Sequence, residues 1–244
     1  MTGQPFIILD TTESTNNHAI EEVRLRNATD GTVYFALDQT KGKGQRSKAW
    51  HSKKGENLIL STIQGNKGLK IEDQFPLSCA TALACVDLLS TYAGDDVRIK
   101  WPNDLYWRDR KAGGILIENI IKGNSWEKAI IGIGINVNQT NFPEMAHSPV
   151  SLKQITGKTF NPIELAKELC VLLDRRFSAL EIGAFDSQLS TYNLKLYKGK
   201  TNARFKKGNI QFDAMIKGVN EKGQLVLSHD IEHKVNFGEV EWLL

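Results

Sequence analysis

The chain is short of cysteine, has no long hydrophobic run and lacks the common nucleotide-binding signatures, and each shortage removes a class of protein. Three cysteines, Cys79, Cys85 and Cys170, occur among 244 residues. None forms a CxxC pair and all lie in apolar, helix-patterned stretches, so buried reduced thiols are expected, not a disulfide framework, as suits a cytoplasmic protein. The five histidines are scattered. His229 and His233 stand four apart, but in a region of strand-like alternation, so a transition-metal site is not expected. The most apolar segment, Leu77–Leu89, is too short to span a bilayer and carries Ser78 and Asp87; it reads as a core helix, and no membrane association is expected. The start, MTGQPFIILD, has neither a basic region nor a long apolar run, so it is not a secretory signal. A net charge of +3 is too mild for wholesale nucleic-acid binding. There is no G-x-x-x-x-G-K-[ST], and the G-x-G of Gly132–Gly134 has Val137 where a dinucleotide fingerprint needs its third glycine.

What remains is an ordinary apolar and charged balance, in a chain long enough for one sizeable core and a small second domain. Strands are expected at Phe6–Leu9, Thr32–Leu37, Asn57–Ile63 and Val97–Trp101. A pair at Gly114–Ile121 and Glu127–Val137 is joined by Lys122-Gly123-Asn124. Helices are expected from the N-cap Ser14 to about Arg26, and at Asp73–Tyr92, Ser151–Thr156, Pro162–Leu180 and Phe185–Leu194. The lysine- and glycine-rich Gln39–Lys54 reads as a mobile surface loop. From Tyr197 the grammar changes to short alternating strands with turns at Lys207-Gly208-Asn209, Glu221-Lys222-Gly223 and Asp230. The expected division is therefore 1–195 and 196–244.

The most informative window is Lys100–Glu118, KWPNDLYWRDRKAGGILIE. Trp101-Pro102 ends an apolar strand, Asn103-Asp104 follow as a polar pair, and Lys111 precedes Gly113-Gly114, where missing side chains let a ligand or a backbone come close. A cation, a carboxylate and an amide beside bare backbone suit a phosphate or carboxylate ligand. Taken singly, Lys111 is also what a solvated surface lysine looks like, and Asp104 serves equally as a turn cap or a magnesium ligand. The loop Thr40–Trp50, TKGKGQRSKAW, sets cations around Gly42 and Gly44, an arrangement that turns amides toward an anion but is also shared by solvated charge runs. Ser14-Thr15-Asn16 caps a helix or offers hydroxyl and amide groups to a small polar ligand. Gly132 and Gly134 fit either close strand packing or a flat slot for a ligand, with Asn136 and Asn138 at the strand end favouring a polar one.

In order along the chain, Ser14-Thr15-Asn16, Gln39 with Gly42-Lys43-Gly44-Gln45-Arg46 and Trp50, K-W-P-N-D at 100–104, K-A-G-G-I-L-I-E at 111–118 and G-I-G-I-N at 132–136 resemble the biotin–protein ligase family, in its form without an N-terminal DNA-binding domain. The resemblance covers almost the whole chain, and K-W-P-N-D and K-x-G-G-I-L are its specific blocks. It implies an α+β fold: a mixed-sheet catalytic domain similar to class II aminoacyl-tRNA synthetases, then a small SH3-like barrel. It also implies that biotin is activated by ATP as biotinyl-5′-AMP, with Mg2+, and passed to a lysine of a biotin carboxyl carrier protein. Thirteen residues precede the first motif, too few for a helix-turn-helix, so no DNA-binding role is expected. Pairing of two subunits along a sheet edge, as in some relatives, is compatible with the resemblance.

Carried onto this sequence, the resemblance makes Lys111 and Lys43 catalytic. It assigns biotin to Ser14, Thr15, Asn16, Gln39, Gly42, Lys43, Gly44, Gln45, Lys111, Gly113, Gly114, Ile115 and Gly134. ATP falls to Lys43, Gln45, Arg46, Trp50, Asn103, Lys111, Asn136 and Asn138, with Asp104 as a magnesium ligand. A carboxylate nearing a phosphate meets like-charge repulsion, and one cation at about 4 Å in an effective dielectric near 20 offsets it by roughly 4 kcal/mol before desolvation. The loop departs from the family's G-R-G-R-R-G: Lys43 replaces the first arginine, Gln45 the second and Ser47 the last glycine. That loses bidentate geometry and one cation, which Arg46 or Lys48 is placed to supply. Two competing readings are a lipoate or octanoyl transferase on a similar carrier, and a non-catalytic RNA or DNA binder using the basic loop. The low net charge and the lack of aromatics interleaved with the basic residues count against the second.

Overall fold

A computed structural model describes residues 1–66, 74–123, 125–143, 148–229 and 231–243. Asp73, Asn124 and Asp230, invoked above as a helix start and turn residues, lie outside them. A mixed sheet forms the body of the protein. Its strands are β1 (Phe6–Leu9), β2 (Val33–Ala36), β3 (Asn57–Gly65), β4 (Val97–Lys100), β5 (Asp104–Trp107), β6 (Arg110–Lys122) and β7 (Ser125–Asn136), ordered β1-β2-β3-β7-β6-β5-β4. β1 and β2 run parallel and the other neighbours antiparallel.

The period of two decides the two faces of this sheet. Ile131, Ile133 and Ile135 of β7 join Leu58 and Leu60 of β3 in the main core. On this face α2 (Phe75–Ala93) packs against β4, β5 and β6 and α4 (Pro162–Glu181) against β3, and the 19 residues of α2 are apolar nearly all round because the sheet and α4 both cover it. By length and composition α2 could cross a membrane, but most of it is buried between these layers. On the opposite face α1 (Thr15–Arg24) packs Ala19 against Tyr34, Ile63 and Ile130. α1 covers only part of that face. Over the rest folds the 39–54 loop, which has a hydrogen-bonded frame of its own: Trp50 N donates to Gly42 O at 2.9 Å and Gly44 N to Lys48 O at 2.7 Å.

Helices α3 (Leu152–Thr156) and α5 (Phe185–Leu194) complete the body. A second, antiparallel sheet follows: β8 (Asn202–Lys207), β9 (Ile210–Val219), β10 (Leu225–Ser228), β11 (Glu232–Val235) and β12 (Glu241–Leu243), ordered β11-β10-β9-β8-β12. Residues 195–197 cover the outer edge of β4, with Ile99 N donating to Lys195 O and Tyr197 N to Ile99 O, each at 2.8 Å. Trp101 Nε1 donates to Gly223 O at 2.9 Å and Trp242 Nε1 to Trp101 O at 3.1 Å, so two indoles clasp the sheets together.

Two elements differ from the sequence expectation. Asp104–Trp107 forms a strand of its own, and β6 begins at Arg110, so Lys111 and the double glycine lie inside it. The short β5 is held by pairing on both sides, to β4 and to β6, which local pattern does not show.

Candidate active site

One row of residues across the sheet builds the site. Lys100 of β4 stands opposite Asp104 of β5, Asp104 opposite Gly114 of β6, Gly114 opposite Gly134 of β7, and Gly134 opposite Ile59 of β3. Partners in a row share a face, so Lys100 and Asp104 stand beside a strip where two consecutive strands carry no side chain. Lys111 enters at the irregularity in β5–β6 pairing, and its Nζ lies 2.6 Å from Asp104 Oδ1, with both side chains about four-fifths shielded. A Cβ on Gly114 would come to 3.6 Å from both Asp104 Oδ1 and Lys111 Nζ, so the pair sits directly over that glycine.

The next row carries the polar end. Tyr34, Ser61, Gly132 and Leu116 are partners across β2, β3, β7 and β6. The start of α1 rests on Gly132, where a Cβ would meet Asn16 Oδ1 at 2.3 Å. Ser14, Thr15 and Asn16 are all buried. Ser14 has extended backbone at the N-cap, yet its hydroxyl makes no capping bond. Thr15 N donates to Gln39 Oε1 at 2.7 Å, and Thr15 Oγ1 lies 3.1 Å from the same oxygen. Asn16 Nδ2 donates to Glu118 Oε2 at 2.7 Å, and Ser61 Oγ lies 2.7 Å from Thr15 Oγ1 and 2.5 Å from Asn16 Oδ1.

The basic loop roofs both rows. Its Trp50 indole lies on Gly134, where a Cβ would be 2.6 Å from Trp50 Cε2, and Lys111 Nζ stands 5.9 Å from the indole centre. Trp50 Nε1 is buried with no hydrogen-bond partner. A buried N–H without an acceptor costs about 1–3 kcal/mol, which a ligand oxygen at that position would recover. Gly42 is required by closeness: a Cβ there would be 2.4 Å from Trp50 O. Lys43 Nζ donates to Asn17 Oδ1 at 2.6 Å, tying the loop to α1 from the solvent side. Gly44 and Gln45 begin a single 3-10 turn, Gln45–Ser47. Arg46, at φ 54°, turns its guanidinium to within 5.1 Å of the Phe237 ring, in the turn between β11 and β12.

Lys100 is the site residue that the motifs contained and the sequence assignments passed over. It is 4% exposed, its Nζ donates to Tyr106 Oη at 3.2 Å, and it faces the Tyr106 and Trp242 rings at 4.9 and 5.6 Å. Burial pushes its proton affinity down to about 8; Asp104 offsets this in part, while Lys111, Lys48 and Lys198 add like charge. Of the two cations placed to stand in for the one missing at Gln45, Lys48 therefore reaches this group electrostatically, whereas Arg46 is engaged with Phe237 of the β11–β12 turn.

The three asparagines hold the frame. Asn103 Nδ2 donates to Ile115 O at 2.6 Å; Asn136 Nδ2 lies 3.2 Å from both Lys111 O and Val150 O; Asn138 exchanges two bonds with the backbone of Phe160. Gly113 and Ile115 alternate with Gly114, so they face the α2 core: a Cβ on Gly113 would meet Leu105 and Ile135 side chains. The structure thus brings Ser14, Thr15, Asn16, Gln39, Trp50, Asp104, Lys111, Gly114 and Gly134 onto one face, and adds Lys100, Ser61 and Glu118. A sequence signal for Ser61 existed, since it interrupts the apolar run of β3 at a position with no exposure.

Residues 8–136 match the model of the biotin/lipoate A/B protein ligase family. The chain is 30% identical over 228 residues to the bifunctional ligase/repressor BirA of Bacillus spizizenii, covering 92% of this chain and 70% of that protein. It is 27% identical to the biotin–[acetyl-CoA-carboxylase] ligase of Paracoccus denitrificans, over 90% of this chain and 92% of that one. The biotin protein ligase of Aquifex aeolicus, solved in complex with biotin and ATP, superposes with a TM-score of 0.82 at 25% identity over 98% of both chains. With the site geometry and these matches in agreement, the chain belongs to the biotin/lipoate A/B protein ligase family.

Proposed function

We propose that the chain is an ATP-dependent biotin ligase, which activates biotin as biotinyl-5′-AMP and transfers the biotinyl group to a lysine of a biotin carboxyl carrier protein. The observation that carries this reading is the Lys111–Asp104 pair standing over Gly114, one row from the buried hydroxyls and amides of α1 and under the Trp50 indole. A flat polar bicycle fits the strip bared by Gly114 and Gly134 once Trp50 lifts from Gly134, with its urea toward Ser14, Thr15, Asn16 and Gln39. Its carboxylate then points along the strip to Lys111.

Lys111 Nζ stands where attacking carboxylate and α-phosphate meet, and neutralises both as charge moves from one to the other. Lys100 and Lys48 add positive potential on the leaving-pyrophosphate side. Asp104 holds Lys111 in place and is the carboxylate available to a magnesium ion, whose remaining ligands would be phosphate oxygens and water. Closure of the Lys43–Trp50 loop keeps water from the mixed anhydride until the carrier lysine attacks its carbonyl and AMP leaves. The family also includes lipoate ligases, and the relatives named above favour biotin. Incubating the protein with ATP, magnesium, biotin and a carrier domain should label the carrier. ATP–pyrophosphate exchange supported by lipoate and not by biotin would overturn the reading.

A further inference from the structure

The Ser61 hydroxyl sits at the one point of the buried polar network where the direction of the hydrogen bonds is decided. We propose that Ser61 is a positioning residue that makes Thr15 a hydrogen-bond acceptor toward the ligand, and so selects a cyclic urea by one of its N–H groups. The inference rests on the biotin reading of this site.

Ser61 has no solvent exposure and lies in the middle of β3, between Tyr34 and Gly132 of the neighbouring strands. The directions of the bonds around it follow from groups that have no choice. Asn16 Nδ2 faces Leu116 O at 3.3 Å as well as Glu118 Oε2. A backbone carbonyl only accepts, so the amide nitrogen is on that side and Asn16 Oδ1, which also only accepts, is turned to Ser61. The 2.5 Å contact between Ser61 Oγ and Asn16 Oδ1 must therefore contain the serine proton. Ser61 Oγ then has only lone pairs left for Thr15 Oγ1 at 2.7 Å, so Thr15 donates to Ser61.

The same logic fixes Gln39. Thr15 backbone N–H only donates, so the glutamine atom 2.7 Å from it is the carbonyl oxygen. Gln39 Oε1 is the other place for the threonine proton, but at the longer distance of 3.1 Å. The hydroxyl proton of Thr15 is thus consumed inside the protein, and toward a ligand Thr15 Oγ1 presents lone pairs only. A urea N–H is matched; a ring oxygen at the same place is rejected by lone-pair repulsion and by an unsatisfied acceptor. Without Ser61 the Thr15 hydroxyl proton has only the longer 3.1 Å contact to Gln39 Oε1, which already accepts from Thr15 N, so the ligand competes for it and Thr15 no longer presents lone pairs alone.

The test is ATP–pyrophosphate exchange by the whole chain, with biotin and with the two cyclic-carbamate analogues in which one urea N–H is replaced by ring oxygen. The unsubstituted chain is expected to prefer biotin over at least one carbamate by about 10²-fold or more. Ser61→Ala should raise the KM for biotin about 10-fold and shrink that preference about 10-fold, leaving the KM for ATP unchanged. Ser61→Thr, which keeps the hydroxyl, should restore the preference. Ser61→Cys, which keeps the volume but is a weak donor, should behave as alanine does and stands in for it if Ser61→Ala fails to fold. Equal losses for biotin and carbamate, or a parallel rise in the KM for ATP, would overturn the inference and leave the ligase reading intact. Absence of biotin-dependent exchange in the unsubstituted chain would overturn the ligase reading, and this inference with it.

Discussion

Two lysines of the site have opposite designs. Lys111 is paired and partly open, Lys100 buried and without a carboxylate in contact, and the difference predicts how each responds to substitution and to pH. Lys111→Ala should lower carrier labelling by about 10²–10³-fold or more, the range for losing a charge that stabilises the transition state. The melting temperature should fall as well, since removing one partner of a pair about four-fifths shielded leaves the Asp104 carboxylate without its 2.6 Å partner, so labelling is compared below the variant's own melting temperature. Near-normal labelling in a folded variant would remove Lys111 from the chemistry. Lys100 titrates near 8 when folded against an ordinary value of 10.5. Below about pH 8 the folded protein bears the full cost of the buried charge. Between about 8 and 10.5 the unfolded chain holds more protons than the folded one, so this contribution to stability improves as pH rises. Phosphates arriving near Lys100 favour its charged form, so ATP binding near pH 8 should take up about half a proton, and at pH 6 almost none. Titration calorimetry in two buffers of different ionisation enthalpy measures this uptake, and Lys100→Gln should abolish it. Uptake that persists in that variant belongs to another group.

The strands turn these residues into a site, and they explain what the sequence could show. The motifs were legible because each carries unusual chemistry in a short window: K-W-P-N-D, K-A-G-G and G-I-G-I-N each put some of their residues on the same sheet face. The grammar change at Tyr197 was legible as well, because alternation and turn residues are local signals. What local pattern cannot supply is register. Gly114 and Gly134 become one bare strip only because β6 and β7 pair them, and Gly113 turns to the core by the same rule. Ser61 enters the site through its pairing with Gly132, and the asparagines assigned to ATP also turn their amide nitrogens to backbone carbonyls of the frame, a role local pattern does not show. The two glycines of β7, Gly132 and Gly134, also differ in their neighbours, which makes them separable. A methyl at Gly132 meets Asn16 Oδ1 at 2.3 Å, whereas at Gly134 it meets the indole of a loop residue at 2.6 Å. Gly132→Ala should therefore raise the KM for biotin about 10-fold and lower the melting temperature, because α1 must shift off the sheet. Gly134→Ala should keep the fold but displace Trp50, seen as a change in tryptophan fluorescence of the ligand-free protein. Identical effects of the two substitutions on α1 and on the loop would contradict this division.

At the scale of the molecule, the second sheet is part of the site's wall. Trp242 of β12 covers Lys100, packs at 4.9 Å against Phe205 and at 5.9 Å against Tyr197, and donates to Trp101 O, inside the K-W-P-N-D block. From the same sheet side, Phe237 receives Arg46 of the basic loop. The lowered proton affinity of Lys100 is caused first by burial, so it depends on a residue more than a hundred positions away in sequence. Trp242→Ala should thus act at a distance from the bound biotin. Removing the ring costs about 3 kcal/mol at most in stability, lets water reach Lys100 and returns its titration toward 10.5. The expected kinetic outcome is a KM for ATP raised several-fold with the KM for biotin unchanged, together with loss of the proton uptake described for Lys100. Trp242→Phe keeps a ring over Lys100 while losing the N–H bond to Trp101 O, so it should preserve the uptake and lose only part of the stability. If Trp242→Ala leaves both the ATP dependence and the proton uptake as they were, the second sheet is an appended module. If it changes them as described, the sheet is what keeps water away from Lys100, and the ATP end of the site is built from both sheets.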